Sequence, residues 1–146
     1  MEVQEQIQTY IDSLPKTTQK GILELMELAQ SLSPGCKLWF LDGKNSEGKV
    51  VSNPNIGYGS CMLKYADGSS KEFYQVGLSA NKSGLSVFIF GLEDRTFLPD
   101  TFGSTIGKAN VSSYCIKFKT LIDIDPGILQ EAMKSGFGAS KPTELE

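Results

Sequence analysis

The chain contains no histidine. Ser-His-Asp and Cys-His catalysis, His-ligated zinc and an imidazole pH switch are therefore excluded. Any catalysis has carboxylates, Lys, Tyr or Cys to work with. Arginine is almost absent too: Arg95 is the single one among 14 cations, so no arginine cluster is available for phosphate. Cysteine is sparse. Cys36, Cys61 and Cys115 are odd in number and widely spaced, with no Cys-x-x-Cys, which fits reduced thiols in a cytoplasm. Apolar runs such as Val87–Phe90 are far too short to span a bilayer. The N-terminal MEVQEQIQTY is acidic and polar, where a secretory signal needs a basic start and an apolar stretch. Positive charge is short as well. The net charge of −3 and pI near 5.0 argue against general nucleic-acid binding. A cytoplasmic protein with no membrane and no nucleic-acid partner is expected.

What is present is ordinary globular material: 40% hydrophobic and 21% charged over 146 residues, enough for one domain with a real core. The stretch Asn53–Leu92 organises it. Three apolar-rich runs are broken by Asp67-Gly68-Ser69-Ser70 and Asn81-Lys82-Ser83-Gly84, the pattern of an antiparallel meander. Its strands are expected near 57–65, 72–80 and 85–91. Val3, Ile7, Tyr10, Ile11 and Leu14 form one helical stripe, predicting a helix over 2–13 that Pro15 ends. A second helix, capped by Thr17 or Thr18, should continue to about Leu32, where Ser33-Pro34-Gly35 stops it. Residues 37–41 and 49–52 suggest a hairpin, and Glu93–Phe102 a short helix or turn. The alternation at 113–119 predicts a half-buried strand. Asp125-Pro126 is a helix start, with Gly136 and Gly138 closing that helix.

The expected fold is α+β: a two-layer sandwich of about five or six antiparallel strands, with the N-terminal helices and the C-terminal helix packed on one face. Residues 1–138 form a single domain and 139–146 a frayed tail. The helices should take Ile116 and Phe118. The opposite face then presents Cys115, Lys117 and Lys119.

Few motifs carry chemistry. Gly103-Ser104-Thr105-Ile106-Gly107-Lys108 invites a phosphate-loop reading. It fails because three residues separate the glycines where four are required, Ala109 follows the Lys, and a strand comes next instead of a helix. Glu24 and Glu27 lie one helical turn apart, near Glu2, Glu5 and Asp12 of the first helix, and carboxylates so placed hold hard cations weakly. A solvated helix face explains them equally well. Cys115 shares a strand face with Lys117 and Lys119, whose ammonium groups would favour thiolate. More often a strand cysteine fills space. Tyr58, Tyr65, Tyr74 and Tyr114 gather in the sheet region with Lys64. Tyrosines line ligand pockets, and they are equally common as plain strand residues.

The stretches NPNIGYGS, LKYADGSSKEFYQVGLSANK, GLSVFIFGLED and FGSTIGKANVSSYCIKFKTLIDID resemble the DUF1801, or YdhG-like, family of small bacterial proteins, in order and spacing. The resemblance covers Asn53–Phe137 and extends loosely into the N-terminal helices. Gly107, Lys108, Cys115 and Lys119 match the family pattern and Lys82 is kept. Asn81 stands where relatives have Arg, and Asn110 and Ser113 where they often have Lys. Residues 41–52 add material. The resemblance implies a fold more than an activity. Some members are described as frataxin-like iron chaperones, which needs an acidic ridge that Lys16 and Lys20 interrupt here.

The function expected from all this is a non-catalytic small-ligand-binding or protein-interaction module, working without a cofactor. Its ligand-binding candidates are Tyr58, Lys64, Lys82, Lys108, Cys115, Lys117 and Lys119, and its partner is a small anionic ligand or a second copy through Phe88 and Phe90. The first alternative is an iron-binding protein using Glu24 and Glu27. The second is an enzyme with Cys115 as nucleophile, which has no general base beside it in the sequence.

Overall fold

A computed structural model describes residues 2–64, 67–81, 84–90 and 96–139, with the backbone alone at 64, 81 and 139. Helix α1 (Val3–Asp12) buries Ile7, Tyr10 and Ile11, and α2 (Lys16–Leu32) buries Ile22, Leu25 and Ala29. Strands β1 (Leu38–Leu41), β2 (Asn55–Tyr58), β3 (Cys61–Lys64), β4 (Ser70–Phe73), β5 (Val76–Asn81) and β6 (Gly84–Ile89) follow. Then come α3 (Phe97–Phe102), β7 (Asn110–Val111), β8 (Cys115–Phe118), a 3-10 turn (Leu121–Asp123) and α4 (Pro126–Ala139). Six strands form one sheet in the order β1-β2-β5-β6-β8-β7, and β3 and β4 pair separately. Every pairing is antiparallel. The fold is therefore α+β, a helix layer on an antiparallel sheet.

The helix layer covers one face. α2 and α4 pack on β5, β6 and each other, and α1 packs on β1. The inward residues of the central strands are Ile56, Tyr58, Val76, Leu78, Leu85, Val87, Ile89, Ile116 and Phe118, all buried in one cluster with the helices. Each fully buried aliphatic side chain here contributes about 1.5–3 kcal/mol. Tyr10 ties α1 to the sheet: its hydroxyl donates to Ala80 O and accepts from Ala80 N, both at 2.9 Å.

Several boundaries differ from the sequence expectations, each for a physical reason. β1 pairs with β2, and not with 49–52; that segment folds back on residues 43–45, with a bridge at Lys44–Val50 and Val51 N and Ser52 N donating to Gly43 O. The expected strands 57–65 and 72–80 each break in two, because the long hairpin they form bends at Gly59-Ser60 opposite Tyr74-Gln75. Tyr58 faces Val76 and Cys61 faces Phe73, so the register runs unbroken through the bend. Neither Thr17 nor Thr18 caps α2; its N-cap is Pro15, with no side-chain cap. Asp125 does cap α4, its Oδ1 accepting from Gly127 N at 2.9 Å and Ile128 N at 3.3 Å. Gly136 does not end α4. It lies inside the helix where α4 touches the sheet, and a Cβ there would sit 2.8 Å from Ile89 Cγ2. β7 was not expected; it is a two-residue edge strand on β8. The expected short helix or turn over 93–102 is a helix from Phe97, and 91–95 and 140–146 lie outside the described residues.

Candidate functional site

The sheet face turned away from the helices is divided into a covered end and an open end. At the covered end, cross-strand register places Trp39, Gly57, Gly77, Phe88 and Cys115 in one row. The two glycines leave a slot, and the Tyr74 ring fills it. A Cβ on Gly57 would come within 2.6 Å of Tyr74 Cγ, and one on Gly77 within 2.5 Å of Tyr74 Cζ. Tyr74 reaches this face because the hairpin bends just there. Gly59, at φ +84°, supplies the left-handed residue at the bend. β3 and β4 then carry Phe73 against this end. Its ring stacks on Tyr74 at 4.2 Å and meets Phe90 at 5.2 Å and Trp39 at 6.1 Å. Glu72 anchors the flap, accepting from Ser60 Oγ at 2.6 Å and pairing with Lys37 at 3.3 Å. The Ser60 hydroxyl and then Lys37 hold the Glu72 carboxyl below the usual carboxylate range. Trp39 Nε1 donates to Gly59 O at 2.8 Å.

The open end is polar. The next row across the sheet runs Ser79, Ser86, Lys117 and Asn110, with Asn55 beside Ser79 on β2. These residues floor a cleft of about 870 Å³. From β2 to β8 there are three strand spacings, about 14 Å. Ser79 Oγ is already engaged, donating to Pro54 O at 2.7 Å. Phe88 marks the border with the aromatic end, and Lys108 and Lys119 complete the rim. Lys108 is positioned by the loop before β7. Gly107 bridges to Ile124 and Lys108 N donates to Asp123 O at 2.9 Å. Gly107 adopts φ +115°, and a Cβ there would lie 2.5 Å from Asp123 O. The Gly-Lys pair is thus a tight bridge, with no helix N-terminus behind it, as its departure from the phosphate-loop pattern required.

Three of the expected residues, Lys108, Lys117 and Lys119, come together around this cleft, all exposed. Among the described residues none of the three makes an ion pair. Among the described residues no carboxylate lines the cleft. In a chain of net charge −3, that concentrates positive potential at one place.

Tyr58 is separated from the three lysines. It points into the helix layer, 1% exposed, so it shares no cavity with Cys115. Burial, and then the nearby Cys36, push its phenol up. Cys115 lies on the lysine face as expected, but in the covered row, 4% exposed and outside the cleft. Burial raises its thiol pKa against the opposing pull of Lys117, so the thiolate expected from neighbouring ammonium groups is not favoured. The side chain of Lys64 and all of Lys82 and Tyr65 lie outside the described residues. Glu24 and Glu27 are exposed on α2, and among the described residues no three acidic or cysteine side chains group as a metal site would require. Phe88 and Phe90 are half-buried, with Phe90 against Phe73, Tyr74 and Tyr114 and Phe88 stacked on Tyr114. Tyr114 beside them is 49% exposed.

Sequence reasoning missed Asn55, Ser79, Ser86 and Asn110. The signal was there for two of them: Ser79 and Ser86 stand at outward positions of otherwise apolar strands. The expected strand began near 57, so Asn55, which β2 holds alongside Ser79, lay outside it.

No family model matches the chain, and no curated protein or solved structure matches it. The YdhG-like resemblance is carried by the quoted stretches alone. What the geometry offers chemically is three ammonium groups beside serine hydroxyls and asparagine amides around one open cleft. That set can bind anionic oxygens. Among the described residues it contains no nucleophile with an adjacent base.

Proposed function

We propose that this protein is a non-catalytic domain that binds a small anionic ligand in the polar cleft of its sheet. The observation that carries this reading is the convergence of Lys108, Lys117 and Lys119 on one cleft, with no ion pair and no lining carboxylate among the described residues. Its volume of about 870 Å³ suits a metabolite-sized ligand. Phosphate or carboxylate oxygens accept charge-assisted hydrogen bonds from the ammonium groups, with the serine and amide groups ordering the rest of the molecule.

Calorimetry with glucose 6-phosphate and with glucose tests it. The phosphorylated sugar should bind and the neutral one should not, and binding should weaken as salt is raised. Lys117→Gln should weaken it about tenfold or more, the scale of one charge-assisted hydrogen bond. Absence of any phosphate-dependent heat, with alkyl phosphates as well as with the sugar, would remove the reading.

A further inference from the structure

A second hollow, of about 420 Å³, opens round the end of the sheet between the start of α2 and the 3-10 turn. Gly21, Leu85, Leu121 and Ile122 give it apolar walls, and Lys20 and Glu24 stand on its helical rim. It shares Gly84, Leu85 and Lys119 with the lysine cleft, so the two spaces meet at Lys119. Ile122 is 94% exposed beside it. Two features adjoin here: an almost fully exposed isoleucine, and an apolar hollow that ends at an ammonium with no ion pair among the described residues. One ligand shape answers both.

We infer that the ligand is an anionic amphiphile, its head group held by Lys108, Lys117 and Lys119 and its apolar limb turned round the sheet end into the hollow beside Ile122. The inference rests on the anion-binding reading and narrows it. Lys119, belonging to both spaces, takes the head group where it joins the limb. Leu85, Leu121 and Ile122 remove the limb from water.

The test is a series of propyl, hexyl and decyl phosphate, each below its micelle concentration, measured by calorimetry beside glucose 6-phosphate. Affinity should rise by about fourfold per buried methylene until the hollow is full. Ile122→Ser, at a position too exposed to matter for folding, should flatten that rise and leave glucose 6-phosphate unchanged. Lys117→Gln should weaken every phosphate ligand alike. Affinity independent of chain length, with glucose 6-phosphate bound equally well, overturns the amphiphile and leaves the anion site standing. No binding by any phosphate overturns both. Sedimentation with vesicles of equal parts phosphatidylcholine and phosphatidate, without binding of decyl phosphate in solution, also overturns the inference, by assigning Ile122 to a lipid surface.

Discussion

Replacing Gly77 by Ala tests the arrangement that closes one end of the sheet. The new methyl would lie 2.5 Å from Tyr74 Cζ and 2.7 Å from its hydroxyl oxygen. Carbon contacts are comfortable at about 3.5–4.0 Å, so the ring must withdraw by about 1 Å. It has little room to do so, with Phe73 stacked at 4.2 Å and Phe90 at 5.4 Å. Overpacking of this kind costs about 1–3 kcal/mol. Ala regains about 0.5–1 kcal/mol over Gly in a strand, through the smaller backbone entropy lost on folding. The net expectation is a loss of about 1–2 kcal/mol, read from urea denaturation with an unchanged m-value. The decisive comparison is the same substitution in a Tyr74→Ala background, where the clash is gone. Gly77→Ala should there be neutral or stabilising, giving a coupling of about 2 kcal/mol between the two sites. Tyr74→Leu provides the contrast in a more stable background. Equal destabilisation by Gly77→Ala with and without the ring would show that Tyr74 does not occupy the glycine slot.

Gly107→Ala forces a side chain onto φ +115° and against Asp123 O, so it should cost about 2 kcal/mol or more and weaken glucose 6-phosphate binding by displacing Lys108. Thermal melting and calorimetry check the two effects, and retained stability would contradict the bridge to Ile124. Asp125→Ala removes the cap of α4 and should cost about 1 kcal/mol, whereas Asp125→Asn, still able to accept from Gly127 N, should cost less. The Cys115 thiol is raised by burial, so the unfolded chain ionises first as pH climbs past the ordinary thiol value of about 8.5. The native state then holds more protons than the unfolded one. Stability contributed by this group is intact below that pH and declines above it, and Cys115→Ser should flatten the decline in urea melts between neutral and alkaline pH. In a Cys36→Ser, Cys61→Ser background, a disulfide reagent should modify Cys115 far more slowly than free cysteine, and a rate matching free cysteine would contradict its burial.

Local pattern alone determined the helices and the existence of the sheet. The 3.6-residue stripe of Ile7, Tyr10 and Ile11 and the Asp125-Pro126 start are one-dimensional signals, and the structure honours them. So is the alternation on β8, which sends Ile116 and Phe118 inward and Lys117 outward. Tertiary structure decided the rest. Whether Leu38–Leu41 pairs with 49–52 or with Asn55–Tyr58 depends on which partner also joins the central sheet, a question of long-range pairing. The bend at Gly59 is invisible in hydropathy, because the register runs straight through it; yet it turns Tyr74 onto the glycine pair and leaves Ser86 and Lys117 open to the cleft. Lys108 and Lys117 could be named from the sequence as cations, but their convergence came from the Gly107–Ile124 bridge and the β7–β8 pairing. Residue identity fixed which groups carry charge, and chain crossing fixed which of them share a cleft, because side chains far apart in sequence meet only through the strands that hold them.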